Sequence, residues 1–178
     1  MDNRYVKIFA SGSKAPLKAT PGHFATNHAH INYYLDMTTL KTRLSEAQEV
    51  AKHLAERFLF DKVVDTIVCL EGTQVIGAYL AEELTRAGVL STNAHKTIYV
   101  ITPEYNSNSQ MVFRENILPM VHGKNVVILT AVVTTGLSLN KSIEAIQYYG
   151  GKLQSAAAVF STLDELNGCP ITSIYSPE

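Results

Sequence analysis

The sequence NVVILTAVVTTGLS, residues 125–138, joins a short apolar run to a turn of small and hydroxyl-bearing side chains. Residues 126–129 and Thr130 predict a buried strand, a bend follows, and residues 134–138 open a helix. The start of a helix presents unpaired backbone N–H groups and the positive end of the helix dipole at one place. This segment therefore predicts a phosphate-binding turn. The five residues of that turn are Thr134, Thr135, Gly136, Leu137 and Ser138.

A plainer interpretation of the same turn is a strand-to-helix connection in which Thr135 or Ser138 caps the helix. On the phosphate interpretation, Gly136 lets the ligand approach the backbone closely, because glycine has no Cβ. The sequence of the turn alone leaves both interpretations open.

The composition predicts a single globular domain with an almost neutral charge. Of the 178 residues, 46% are apolar and 17% are charged, with 15 basic against 16 acidic side chains. A domain of this length can bury a sizeable core. The basic residues are scattered singly, so we expect no nucleic-acid partner.

Two cysteines, Cys69 and Cys169, are too few and too far apart for a metal site or a disulfide framework. The first residues contain no apolar signal-peptide core, and no stretch approaches eighteen apolar residues. We therefore expect a cytoplasmic protein without a membrane span.

Apolar strands alternate with amphipathic helices along the chain. Helices are predicted after the capping-box pair Ser45 and Gln48, through residues 76–84 up to Gly88, and from the 134–138 turn to Gly150. The first helix has the apolar face Ala47, Val50, Ala51, Leu54 and Phe58. Strands are predicted at residues 65–70, 97–101, 125–130, 153–160 and 171–175, with a short one at 111–113.

This alternation predicts an α/β fold with a doubly wound, mainly parallel sheet flanked by helices. Ligands of such sheets bind beyond the carboxyl ends of the strands, where residues 71–74 and 130–138 lie. Residues 1–40 are expected to form an N-terminal arm or hood, and residues 41–178 the core of what is one domain overall. Residues 102–123 show no regular spacing of apolar residues and are expected to be a binding loop, a mobile lid or a disordered insertion.

The strand, the bend and the Thr-Thr-Gly-Leu-Ser turn resemble the signature of type I phosphoribosyltransferases. In that family the turn binds the 5-phosphate of phosphoribosyl pyrophosphate. Two acidic residues that precede it accept hydrogen bonds from the ribose hydroxyls. At those two positions this chain has Thr130 and Ala131, neither of which is acidic.

Three further segments resemble orotate phosphoribosyltransferases in order and spacing. Residues 22–36 are similar to the N-terminal arm that contacts the base, which makes His30, Tyr33 and Tyr34 base candidates. One of the two adjacent tyrosines is expected in the core, because neighbouring strand residues face opposite ways. The pyrophosphate loop corresponds to Glu71, Gly72, Thr73 and Gln74. Residues 103–123 lie where the family has a mobile basic loop, yet only Arg114 and His122 carry suitable groups there.

The resemblance implies a phosphoribosyl or nucleotide ligand, magnesium as a possible cofactor, and a homodimer. Glu71 or Asp36 is a candidate to supply a carboxylate to that magnesium. His23, His28 and His30 are not expected to bind zinc, since no cysteine lies near them. Tyr148 and Tyr149 are expected to pack rather than to take part in chemistry.

Two functions follow from the resemblance. The first is a phosphoribosyltransferase of the orotate type, which moves ribose 5-phosphate between pyrophosphate and a nucleobase. The second is a non-catalytic nucleotide- or phosphoribosyl-binding module, favoured by the loss of the acidic pair. That loss forfeits charge-assisted hydrogen bonds of roughly 1.5 to 3 kcal/mol each, so phosphoribosyl pyrophosphate is expected to bind weakly. An unrelated doubly wound phosphate binder is the third possibility.

Overall fold

The computed structural model describes residues 5–25, 30–59, 61–86 and 90–177. Its α-helices are α1 (Thr38–Thr42), α2 (Leu44–Leu54), α3 (Gln74–Thr85) and α4 (Leu137–Tyr148). One π-helical turn covers Ala55–Leu59 and one 3-10 turn covers Leu118–Met120. The strands are β1 (Val6–Phe9), β2 (Pro16–Ala25), β3 (His30–Asp36), β4 (Thr66–Cys69), β5 (Tyr99–Ile101), β6 (Glu104–Tyr105), β7 (Met111–Val112), β8 (Asn125–Val133), β9 (Lys152–Ser161), β10 (Glu165–Leu166) and β11 (Cys169–Tyr175).

A six-stranded sheet in the order β10-β11-β9-β8-β4-β5 forms the centre of the molecule. The four pairings from β11 to β5 are parallel, and only the short β10 pairs antiparallel with β11. Strands β4 and β8 read as continuous apolar runs because helices or loops cover both of their faces. The predicted doubly wound, mainly parallel fold is confirmed.

Each face of this sheet has its own apolar core. On one face, Val127 and Leu129 of β8 pack with residues of α2 and α3 such as Leu54 and Leu80. On the other face, residues of the sheet pack with α4, the 3-10 turn and the segment that precedes it. Helices on both faces leave the strand ends free, so the carboxyl edge is available for a ligand site.

The N-terminal strands form a separate antiparallel sheet in the order β1-β2-β3. Its base is nevertheless part of the main core, because Leu17 and Ala19 are buried and Leu17 packs with the residues of α2. The hydroxyl of Tyr175 in β11 donates to the backbone oxygen of Ala15 at 2.7 Å.

The predicted capping box at Ser45 is wrong. Arg43 is the N-cap of α2, and its backbone oxygen already accepts from the N–H of Ala47 at 2.9 Å. The helix therefore starts before Ser45, whose side chain makes no capping hydrogen bond. The predicted apolar face is otherwise buried, apart from Phe58, whose side chain lies outside the described part of the chain. Gly88, the predicted end of α3, also lies outside it, and the helix ends at Thr85.

Strand β8 runs three residues further than predicted. Val132 pairs with Phe160 and Val133 with Ser161 of β9, so the ladder continues through the expected bend. The turn to α4 is consequently confined to residues 134–136.

Residues 102–123 are folded rather than irregular. Strands β6 and β7 form a hairpin whose turn is closed by the Asn106 side chain, which accepts from the N–H groups of Asn108 and Gln110 at 2.9 and 3.0 Å. Met111 and Phe113 anchor the hairpin in the core on the α4 side of the sheet. No helix within the described ranges is long and apolar enough to cross a membrane.

Candidate functional site

The turn between β8 and α4 presents unpaired backbone amides. Gly136 is the N-cap of α4 in the left-handed conformation, with φ of 80°, and no side chain caps the helix. In the part of the chain that the structure describes, the N–H groups of Thr135, Gly136 and Ser138 have no acceptor. The N–H of Leu137 reaches only the Thr135 hydroxyl, at 3.4 Å. The turn therefore retains the donors that an anion requires.

Gly136 is needed for a different reason from the one that the sequence suggests. A Cβ built at Gly136 would lie 3.1 Å from side-chain atoms of both Leu163 and Leu166. The Thr162 hydroxyl donates to the backbone oxygen of Thr134 at 2.6 Å. The segment between β9 and β11 thus packs against the turn from behind and holds it in place.

Thr130 and Ala131, which take the place of the family's acidic pair, are each only 3% exposed. The Ala131 side chain belongs to the core between the sheet and α2 and α3. Ala131 therefore offers no acceptor in place of an acid, and Thr130 offers only the hydroxyl of a nearly buried side chain.

A carboxylate from another loop lies at this strand end instead. Oε2 of Glu71 accepts from the backbone N–H groups of Ala131 and Val132, at 3.3 and 3.4 Å. Glu71 has a left-handed backbone with φ of 55°, and Nζ of Lys41 donates to its backbone oxygen at 2.9 Å. Left-handed geometry is costly for a residue with a side chain, so the surrounding contacts must hold it.

The other residues of the 71–74 loop divide into exposed and structural ones. Gly72 and Gln74 are exposed at the carboxyl edge of the sheet. Thr73 is fully buried, and its hydroxyl donates to the backbone oxygens of Leu70 and Leu129 at 2.7 and 3.1 Å. Thr73 therefore ties the loop to β4 and β8, and its hydroxyl is already engaged by protein.

A cleft of about 1140 Å³ opens between the Glu71 loop, the β6–β7 hairpin and α4. Glu71 and Ser138 both line it, so the pyrophosphate loop and the phosphate turn of the resemblance meet here. Among the residues that the structure describes, its charged side chains are Glu71, Lys141 and Glu144, two carboxylates against one ammonium. Thr134, Thr135, Gly136 and Leu137 lie outside this lining.

The two basic candidates of the 103–123 segment do not serve the cleft. Nε of Arg114 donates to Oε2 of Glu104 at 2.6 Å, so its charge is paired within the hairpin. His122 precedes β8, at the amino edge of the sheet, and its Nδ1 contacts the backbone oxygen of Tyr149 at 3.1 Å. The cleft therefore lacks the basic loop that the resemblance implies.

His30, Tyr33 and Tyr34 lie on β3 and do not line the cleft. Both tyrosines are exposed, so the expectation that one of them is in the core is wrong. The ring of Tyr34 lies 5.7 Å from that of Phe24, and the rings of His23 and His30 are 6.1 Å apart. His28 lies outside the described residues.

Three residues of the cleft were not predicted from the sequence. Tyr105 and Tyr148 are 56% and 83% exposed and line it from the hairpin and from α4, with Lys141 on the same helix. The expectation that Tyr148 packs is therefore wrong, whereas Tyr149 does pack edge-on against Phe113. Helical periodicity could have shown the difference, because Lys141 and Tyr148 share the face opposite the apolar stripe. Burial raises the pKa of the Tyr105 hydroxyl, and the negative charge of Glu71 raises it further.

The described residues contain no group of three His, Cys, Asp or Glu side chains placed to hold a metal ion. Asp36 accepts from the N–H of Thr38 at 3.0 Å, and this hydrogen bond lowers its pKa. Burial raises the pKa of Cys69 to about 12 and that of Cys169 to about 11, so both thiols are neutral. A metal ion in the cleft would need most of its ligands from a bound molecule.

Comparison with models of known protein families gives no match. The search of curated proteins also gives none.

Solved structures, in contrast, are similar to almost the whole chain. UMP synthase of Leishmania donovani matches with a TM-score of 0.64 and 18% identity, over 89% of this chain and 33% of its own. The chain thus spans about a third of that protein's length. Orotate phosphoribosyltransferase of Mycobacterium tuberculosis H37Rv, solved with iron(III) dicitrate, matches at 0.61 and 16%, over 90% of each chain. The Aeropyrum pernix orotate phosphoribosyltransferase matches at 0.60 and 18%, over 89% of this chain and 88% of its own. This chain therefore has the fold of the type I phosphoribosyltransferases.

Proposed function

We propose that this protein binds a 5-phosphoribosyl ligand, with the phosphate on the amides of the turn between β8 and α4. The observation that carries the proposal is the set of N–H groups at Thr135, Gly136 and Ser138, which have no acceptor among the described residues and lie at the start of a twelve-residue helix. Charge-assisted hydrogen bonds of this kind contribute roughly 1.5 to 3 kcal/mol each. The sugar would then extend past Ser138 into the cleft, where Glu71 lies.

The M. tuberculosis orotate phosphoribosyltransferase supports the proposal, since one of its structures holds 5-phospho-α-D-ribosyl 1-diphosphate. That structure matches with a TM-score of 0.60 over 81% of each chain. By the same likeness, we propose that the ligand of this chain is of the orotate type.

Calorimetric titration with ribose 5-phosphate and with ribose tests the binding proposal. We expect ribose 5-phosphate to bind at least about a hundredfold more tightly, because ribose forfeits the hydrogen bonds to the turn. Equal binding of the two sugars would contradict a phosphate site.

Transfer of the phosphoribosyl group to a nucleobase is the second candidate function. It is favoured by the Glu71 carboxylate, which lies at the strand end where the family's acidic pair accepts ribose hydroxyls. The residues would contribute by position: the turn holds the phosphate, Glu71 orients the ribose, and Tyr105 and Tyr148 offer aromatic faces to the base. Pyrophosphate release from phosphoribosyl pyrophosphate with orotate, uracil, adenine or hypoxanthine measures this activity. Release with none of the four bases would leave the binding function alone.

Magnesium, if it accompanies the ligand, is proposed to be held chiefly by the ligand's phosphates with Glu71 as one protein carboxylate. When bound, it would neutralise charge that develops on a departing diphosphate. Asp36 is not proposed for this role, since its carboxylate is engaged by Thr38 and does not line the cleft.

A homodimer is proposed from an exposed apolar strip on the N-terminal sheet. Val6, Ile8 and Tyr33 are about half exposed, and the register places them on the same face as the buried Leu17 and Ala19. A second copy would cover this strip. Sedimentation equilibrium of the protein and of an Ile8→Lys variant measures the assembly, and we expect the variant to be monomeric.

A further inference from the structure

Two consecutive residues of the 71–74 loop have a left-handed backbone, Glu71 with φ of 55° and Gly72 with φ of 75°. Glycine adopts this conformation without strain, whereas a residue that has a Cβ does not. A strained residue of this kind persists only where its surroundings hold it in place. The shape of the loop therefore depends on a contact at Glu71.

Lys41, in the last turn of α1, makes that contact. Its Nζ donates to the backbone oxygen of Glu71 at 2.9 Å. A Cβ built at Gly72 would lie 3.8 Å from the same nitrogen. The ammonium thus lies against both left-handed residues, and a hydrogen bond from a charged donor is stronger than one from a neutral donor.

Lys41 also faces the end of the N-terminal sheet, where β3 ends at Asp36. Hydrogen bonds from Thr38 lower the pKa of the Asp36 carboxyl most, and the charges of Lys18 and Lys41 lower it further. The two ammonium groups of this region therefore stand against two carboxylates, those of Asp36 and Glu71. Because the charges balance, the effect of Lys41 on the loop comes from its hydrogen bond rather than from an excess of positive charge.

The carboxylate of Glu71 depends on the loop for its place at the end of β8. Its Oε2 lies 3.3 and 3.4 Å from the backbone nitrogens of Ala131 and Val132. Hydrogen bonds between such groups are usually about 2.9 to 3.0 Å long, so these two are weak. The direction in which the loop aims the Glu71 side chain therefore decides whether they form.

We infer that Lys41 is a positioning residue for the ribose of the ligand. Its ammonium holds the left-handed backbone of Glu71, so that the Glu71 carboxylate stays at the end of β8 and accepts from the ribose hydroxyls. The inference rests on the proposed function, in which Glu71 orients the ribose. Lys41 itself does not line the cleft, and it lies outside every segment that resembles the phosphoribosyltransferases.

Calorimetric titration with ribose 5-phosphate and with inorganic phosphate tests this role, because only the first ligand carries the hydroxyls that Glu71 would bind. Lys41→Met keeps a side chain of similar length and removes the donor. We expect it to weaken binding of ribose 5-phosphate about tenfold or more and that of inorganic phosphate less than about twofold. A purely structural role would weaken both ligands alike or neither.

The same substitution in a Glu71→Ala background shows whether the effect passes through the carboxylate. Once that carboxylate is gone, Lys41→Met should change the affinity for ribose 5-phosphate less than about twofold, because the two residues act as one unit. Lys41→Arg keeps a charged donor and should retain the wild-type affinity within about threefold.

Lys52→Met is the matched control, because it removes one exposed ammonium group from α2 and changes the net charge equally. It should alter the affinity for either ligand less than about twofold. Thermal unfolding of each variant is measured beside the titrations. If Lys41→Met does not fold, Lys41→Gln replaces it with the same expectations, since its amide nitrogen is one bond nearer to the backbone and does not reach the Glu71 oxygen.

The outcomes separate this inference from the proposed function. Unchanged binding of ribose 5-phosphate in the Lys41 variant, or equal weakening of both ligands, overturns the role of Lys41. An effect of the same size in the Glu71→Ala background overturns it too. In each of these cases the proposed function stands, since the wild type still binds ribose 5-phosphate. If the wild type binds neither ligand, the phosphoribosyl site itself is wrong and the inference fails with it.

Discussion

Glu71 and Ala131 are sixty residues apart in sequence, and the carboxylate of one accepts from the backbone N–H of the other at 3.3 Å. This contact joins the loop after β4 to the end of β8, and these two strands are neighbours in the parallel sheet. The carboxyl edge of the sheet therefore carries an acid although the strand itself has none.

The first prediction concerns the strand end, where Asp at position 131 would match the acidic pattern of the family. The buried position of Ala131 makes Ala131→Asp destabilising, because a charge would enter the core beside the Glu71 carboxylate. We expect a loss of about 3 kcal/mol or more in the free energy of unfolding, measured in urea. Ala78→Asp on the exposed side of α3 is the control and should change it by less than about 1 kcal/mol. A stable Ala131→Asp variant that binds ribose 5-phosphate more tightly would show that the position is open to the ligand.

The second prediction concerns Gly136, where backbone strain and packing can be separated. Gly136→Ala and Gly123→Ala both place a Cβ on a left-handed backbone, at φ of 80° and 70°. At Gly123 no atom lies within 4 Å of that Cβ, whereas at Gly136 Leu163 and Leu166 lie at 3.1 Å. Gly123→Ala should cost about 1 kcal/mol, from the left-handed backbone alone.

Gly136→Ala should cost roughly 1 to 2 kcal/mol more than Gly123→Ala, because the two leucines must move. Equal losses in urea unfolding would mean that the segment after β9 does not hold the turn. Binding of ribose 5-phosphate should weaken in Gly136→Ala, since the displaced turn aims its amides less well.

The third prediction concerns Asp65 at the amino edge of the sheet, away from the cleft. Burial alone would raise the pKa of Asp65, but hydrogen bonds from Lys96 and from the backbone and side chain of Asn125 outweigh it and lower the pKa. This group therefore contributes stability above its unfolded value near 3.8, and the contribution is lost as the pH falls through the lower folded pKa.

Asp65→Asn should cost about 1 to 3 kcal/mol at neutral pH, and the difference from the wild type should shrink as the pH falls below 4. Unfolding in urea at several pH values measures it. A difference that stays constant down to pH 2 would show that the ionised carboxylate is not responsible. Binding of ribose 5-phosphate at neutral pH should be unchanged.

The sequence predicts the sheet well because parallel strands buried on both faces leave unbroken apolar runs, as at β4 and β8. The pattern of apolar residues likewise predicts the cores of α2, α3 and α4. The start of α2 was predicted wrongly because a capping preference stabilises a helix start only weakly. The backbone oxygen of Arg43 already accepts the first hydrogen bond of this helix.

Contacts between distant residues account for most of what the sequence does not predict at the candidate site. Nothing near Glu71 in the chain indicates Ala131, and nothing near Gly136 indicates Leu163 and Leu166. Within the hairpin, β7 corresponds to the short strand predicted at residues 111–113, whereas β6 was not predicted, because a two-residue strand is too short to show alternation. The helical periodicity of α4 could have predicted that Lys141 and Tyr148 lie on its exposed face.

The central claim is that an anion binds on the amides at the start of α4, and Ser138 offers the most direct test. Ser138→Glu places a negative charge in the first turn of the helix, where it favours the helix by about 0.3 to 1 kcal/mol. The same charge repels a phosphate, whereas Ser138→Gln has similar size and no charge. By calorimetry, Ser138→Glu should bind ribose 5-phosphate at least about a hundredfold more weakly than Ser138→Gln, with no loss of stability in urea. Equal affinities in the two variants would contradict the site.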